Sequence, residues 1–121
     1  LGYERRPQAF YILGLSQRRL GDVEAAVESF EKATQLSAGF APPYIEAADI
    51  YFQQQNYPLS KMALDRFRQL SKPTAKSLWL SIRIEQLFGN RDNVASEGLK
   101  LKNMFPYSKE NLEYQAWLKR S

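Results

Sequence analysis

The sequence contains no cysteine and no histidine. Without thiols there is neither a disulfide framework nor a cysteine nucleophile. Without imidazole there is no histidine triad, and the two absences together exclude a zinc site with Cys or His ligands. No apolar run approaches the roughly 20 residues that a membrane-spanning helix needs. A dominant charge is lacking too: 17 Lys+Arg stand against 13 Asp+Glu, a net charge of +4. That mild excess is too weak by itself to argue for nucleic-acid binding, which displays a clustered basic stripe. What is present is 121 residues, 44% hydrophobic and 25% charged, the balance of a folded chain, and the length suits a single domain over 1–121. The opening Leu1-Gly2-Tyr3-Glu4 lacks a methionine, which leads us to expect a mature or truncated piece with any targeting segment upstream.

The first positive signal is an internal repeat. Phe10, Leu13-Gly14, Gly21-Asp22, Ala26, Phe30 and Ala33 recur, shifted by 34 residues, as Tyr44, Ala47-Ala48, Gln55-Asn56, Ser60, Leu64 and Phe67. Large–small–turn–small–large at this period is the pattern of a tetratricopeptide repeat. Gly14 and Ala26 belong where two helices cross closely, and Phe10 and Phe30 fill the space beside them. A third, degenerate copy reads as displaced by one residue, with Trp79 and Ile82 on its first helix and Ala95 and Leu99 on its second. Its turn is Gly89-Asn90-Arg91-Asp92.

The helix punctuation agrees. Pro7 suits a first helical turn, and Asp22 and Asn56 are good N-caps. Pro42-Pro43 opens one helix, Pro73 separates the second and third copies, and Ser108 can cap a final helix through Trp117 and Leu118. The expected fold is all-α, a tetratricopeptide-repeat superhelix of about seven helices. Its hairpins lie near 7–40, 41–73 and 74–106, with a capping helix over 108–120. Tyr114, Trp117 and Leu118, at i, i+3 and i+4, are expected to dock on the third hairpin.

In such a solenoid the first helix of each hairpin lines the concave side. Helical spacing places Tyr11, Leu15 and Arg18 there, then Ile45, Asp49 and Phe52, then Leu80, Ile84 and Leu87. This set is apolar for a solvent-facing groove, and exposed apolar patches of several hundred Å² mark interaction sites. Two readings stay open: a groove for a protein partner, or a surface covered by other parts of the same protein. Arg18-Arg19 is similarly double, a clamp for an acidic group or a solvated helix end. Lys100, Lys102, Lys109, Lys119 and Arg120 bias the C-terminal end basic, by default through solvation, alternatively toward lipid headgroups or an acidic partner.

No constellation for chemistry emerges. Glu24, Glu28 and Glu31 form an acidic row expected to face solvent. Asp49 sits among apolar groove positions but lacks a second acid, base or metal partner. Gly14 and Gly21 are too far apart for a phosphate-cradling loop. Neither a cofactor nor a metal is expected.

The most specific string runs from Leu78 to Ser108. Ser81-Ile82-Arg83, Arg91-Asp92, Ala95-Ser96, Gly98-Leu99-x-Leu101-Lys102 and Phe105-Pro106-x-Ser108, followed by Glu113-Tyr114-Gln115, resemble the type IV pilus biogenesis and stability family (PilF/PilW). That family comprises the tetratricopeptide-repeat pilotins of the pilus secretin. The resemblance covers essentially the whole chain and implies the C-terminal half of such a protein.

What it implies functionally is a non-enzymatic, protein-binding adaptor on a bacterial lipoprotein. That adaptor would help the secretin reach the outer membrane and assemble, and would act at the periplasmic face. The membrane would be met only through a lipid anchor outside this chain, with no nucleic-acid partner. The alternative is a tetratricopeptide scaffold in another cell-envelope or cytoplasmic assembly. A third class, a regulatory piece attached to a catalytic domain, would need residues outside this chain.

Overall fold

The computed structural model describes residues 6–120. Among them are seven α-helices: α1 (Pro7–Arg19), α2 (Val23–Leu36), α3 (Pro42–Gln53), α4 (Tyr57–Leu70), α5 (Ala75–Leu87), α6 (Arg91–Met104) and α7 (Lys109–Arg120). The chain divides into two compact units, Leu1–Ser71 and Lys72–Ser121. None of the described helices is long and apolar enough to cross a membrane.

The first unit holds two hairpins, α1–α2 and α3–α4. Pro7 begins α1 behind an extended Arg6, where the missing N–H costs nothing. The Asp22 carboxylate accepts from Ala25 N at 3.3 Å and the Asn56 amide oxygen from Leu59 N at 3.3 Å. These contacts satisfy orphan donors at the starts of α2 and α4, as the sequence leads one to expect. The residue before each cap turns left-handed, Gly21 at φ +87° and Gln55 at φ +63°.

Ala26, Phe30 and Ile50 form one buried cluster, with Tyr11, Leu15, Val23 and Val27 packed against it. Gly14 is small for a measurable reason: a Cβ there would lie 2.5 Å from Phe30 Cε1. In the second hairpin Ala48 and Ser60 take the corresponding places. The buried Ser60 hydroxyl donates to the Ala48 carbonyl at 2.7 Å, so its polarity is satisfied locally.

The second unit holds α5, α6 and α7. Thr74 and Ser77 form a reciprocal capping box at the start of α5, a device absent from the sequence reading. One core cluster is Leu78, Trp79, Ile82, Leu101 and Tyr114, joined by Ala75, Val94, Phe105 and Trp117. This corrects the expected register. The third copy is not displaced by one: its left-handed turn residue, Gly89 at φ +75°, lies 34 after Gln55. Its second-helix core positions are Val94, Gly98 and Leu101, whereas Ala95 and Leu99 are exposed. The reason is Gly98, which stands where the first two hairpins carry Phe30 and Leu64. The space is filled from outside the hairpin by the Tyr114 ring of α7.

Helix α7 docks through aromatic packing. Trp79 lies 5.9 Å from Tyr114 and 6.1 Å from Trp117 between ring centroids, and its indole N–H donates to Glu113 Oε2 at 2.9 Å. The Arg83 guanidinium sits 4.8 Å from the Trp79 ring centroid, a cation–π contact that closes the arrangement. Leu118 is not part of the docked face; it is exposed, because the docked stripe follows Asn111, Tyr114 and Trp117 instead. Ser108 caps α7 as expected, accepting from Asn111 N at 3.1 Å.

Candidate protein-binding site

The apolar residues expected to line a groove differ in how far they are buried. In the first unit Ile45 is buried. Tyr11 and Leu15 are half-buried against the Phe30 core, and the Tyr11 ring meets Phe40 edge-on at 5.7 Å. Phe52 is half-buried and packs edge-on to Tyr57 at 5.4 Å. In the second unit Leu80 and Ile84 are fully buried, whereas Leu87 is exposed. Ile45, Leu80 and Ile84 are therefore corrected as surface anchors, since their side chains are already removed from water. Spacing alone could not separate the two readings, because an interior face and a binding face carry the same apolar residues.

Arg18 is neither a solvated helix end nor a free clamp. Its two terminal nitrogens reach across from α1 to α3, donating to Glu46 Oε2 at 3.0 Å and to Asp49 Oδ2 at 2.6 Å. All three side chains are largely shielded from solvent, and a planar guanidinium suits such a two-pronged contact. Glu46, the second acid, was missed in the sequence because it falls between the groove positions. Tyr11 feels it as well: burial first, then the Glu46 charge, pushes its phenol above the ordinary value. Arg19 is exposed.

An open concavity of the first unit lies elsewhere. A cleft of about 580 Å³ runs between α2 and α4, with α3 as its floor. From α4 come Leu59, Met62, Ala63 and Arg66, an i, i+3, i+4, i+7 stripe. Leu59 is 40% and Met62 67% exposed, so this apolar surface is accessible to a ligand. The floor presents Tyr44, Ala47 and Tyr51, and α2 contributes Phe30 and Glu31.

Both phenols are tethered: Tyr44 donates to the Ala38 carbonyl at 2.9 Å and Tyr51 to Glu31 Oε1 at 3.4 Å. Burial, then the Glu31 charge and its hydrogen bond, raise the Tyr51 pKa. Arg66 lies over the Tyr44 ring at 5.9 Å and donates to Gln69 Oε1 at 3.1 Å and the Ala38 carbonyl at 3.4 Å. The α4 stripe follows a helical periodicity, but that Leu59 and Met62 stay exposed is decided by tertiary packing.

Glu24 and Glu28, outside the cleft, are exposed as expected, and so is Glu31 on its α2 bank. Of the C-terminal basic residues, Lys100 approaches Glu97 Oε2 at 3.8 Å, and Lys102, Lys109, Lys119 and Arg120 are exposed.

Comparison with known proteins fits this architecture. Residues 7–40 match the tetratricopeptide repeat family. The chain is 35% identical over 114 residues to the type IV pilus assembly protein PilF of Pseudomonas aeruginosa, a match covering 94% of this chain and 45% of that protein. A solved structure from the functional characterization of Pseudomonas aeruginosa PilF superposes with a TM-score of 0.87 at 35% identity. That superposition covers 94% of this chain and 51% of the other. The chain thus spans about half the length of the relatives it matches.

Proposed function

We propose that this tetratricopeptide-repeat chain, similar to PilF along most of its length, is a non-enzymatic binding adaptor in type IV pilus biogenesis. The observation that carries this reading is the similarity to PilF along 94% of the chain. In the proposed role the adaptor works at the periplasmic face of the outer membrane and helps the pilus secretin localise and assemble.

Its mechanism is recognition. Paired helices with filled cores hold a surface in one shape, so a partner segment is captured with little ordering cost on the adaptor's side. The accessible cleft between α2 and α4, rather than the Ile45, Leu80 and Ile84 positions, supplies apolar area for that contact. The test is co-purification of the full-length native protein with the secretin from solubilised outer membranes, together with the secretin multimer level in a deletion strain. Co-recovery and loss of multimers on deletion are expected. A full multimer level in the deletion strain, with no secretin recovered, overturns the proposal.

A further inference from the structure

Resting on the reading of this chain as a protein-binding module, we infer that the α2–α3–α4 cleft takes an amphipathic segment of a partner protein that inserts apolar side chains together with one lysine or arginine.

The apolar half of the inference comes from the walls. Leu59, Met62 and Ala63 stand along one bank, and the aromatic residues Phe30, Tyr44 and Tyr51 line the far wall and floor. A flexible thioether at the exposed centre of the stripe lets the bank adapt to its ligand. Spacing of i, i+3, i+4 on α4 suits an occupant whose own side chains recur at a helical period.

The cationic half comes from the rim. Each bank carries one carboxylate, Glu31 on α2 and Asp65 on α4. Asp65 pairs loosely with Lys61 at 3.9 Å, and both side chains are substantially exposed, so a docking cation can compete for it at small cost. The lining cation, Arg66, is held down toward Tyr44, Ala38 and Gln69. Both tyrosine hydroxyls are committed to fixed acceptors. A long basic side chain is the group that matches the combination: its methylene stem covers apolar surface while its head meets carboxylates and ring faces.

The experiment uses the full chain and a fluorescein-labelled amphipathic peptide with leucines at helical spacing and a single lysine. Two sister peptides carry norleucine or glutamate at that site. Anisotropy titrations are expected to show the lysine peptide binding about tenfold more tightly than the norleucine peptide, with a preference that shrinks as salt rises. The E31Q/D65N double variant should lose that preference and keep its melting curve, since both groups are exposed. Met62→Glu should weaken all three peptides. Amide shift changes on peptide addition should map to α2, α3 and α4.

Equal binding of the lysine and norleucine peptides, tighter binding of the glutamate peptide, shifts outside those helices, or no saturable binding of any peptide would each overturn the inference. Secretin recovery separates this failure from failure of the pilus role. Peptide selectivity without secretin recovery leaves the cleft chemistry standing and removes the partner. Secretin recovery that survives E31Q/D65N, with no peptide selectivity, does the reverse.

Discussion

The Tyr114 ring of α7 occupies the place that a side chain at Gly98 of α6 would need; a Cβ on Gly98 would overlap its hydroxyl and ring carbons. In the first two hairpins the large side chain at this point belongs to the second helix itself, as Phe30 and Leu64. In the third hairpin it arrives from the next helix. Gly98→Ala should therefore destabilise the protein by about 1–3 kcal/mol, although alanine is the better helix former by about 1 kcal/mol. Tyr114 cannot easily retreat, being wedged beside Trp79 and Trp117. Tyr114→Phe removes the nearest atom and should restore part of the loss. Urea melts of the two single variants and the double variant measure the coupling, and strict additivity would show that the two sites do not meet.

Gln55 offers a prediction of opposite sign. It holds φ +63° at a turn where the other two hairpins place Gly21 and Gly89. A side chain in the left-handed region costs roughly 1–2 kcal/mol, partly offset by the greater unfolded-state freedom of glycine. Gln55→Gly should raise stability by about 0.5–1 kcal/mol, visible as a higher melting temperature. An unchanged or lower melt would mean that the Gln55 side chain compensates its own strain.

The Arg18 clamp should couple α1 to α3. Arg18→Ala leaves Glu46 and Asp49 one helical turn apart and poorly hydrated, at an expected cost of about 1–2 kcal/mol, discounted for their partial exposure. Arg18→Lys keeps the charge but loses the fork, and should fall between. A double-mutant cycle with Asp49→Asn reads the pairing directly. Zero coupling in that cycle removes Arg18 as a brace.

Alkaline stability follows from three tyrosines. Burial raises the phenol pKa of Tyr11, Tyr51 and Tyr114, with help from Glu46 at Tyr11 and from Glu31 at Tyr51. A raised folded-state pKa means that the native protein holds its phenolic protons where the unfolded chain has begun to release them. The contribution is therefore complete below about pH 10 and is lost as pH climbs from there through the folded values. Melts between pH 8 and 11 should show a fall beginning near pH 10, flatter in Tyr51→Phe. A flat profile in the parent protein, or the same fall in Tyr51→Phe, contradicts the assignment.

The seven helices and most of their ends were legible along the chain. Asp22, Asn56, Ser108 and Pro7 act locally, satisfying or sparing backbone donors within one helical turn, so their meaning needs no tertiary context. The third hairpin was misread because Gly98 looks wrong for a large core position until α7 is folded onto it. The large residue one step on, Leu99, then attracts the match. Arg18 was misread for a related reason: its acids lie 28 and 31 residues away on another helix, and no local spacing announces them.

The sequence by itself determined the all-α repeat, its period and the identity of most core positions, because helix caps and side-chain periodicity are short-range properties. Only the tertiary structure decided which apolar faces are consumed. Ile45, Leu80 and Ile84 vanish into the interior, whereas Leu59 and Met62 remain open on the cleft between α2 and α4. An apolar stripe records that a face can be buried, and the neighbour that buries it, or leaves it bare, comes from how the helices pack.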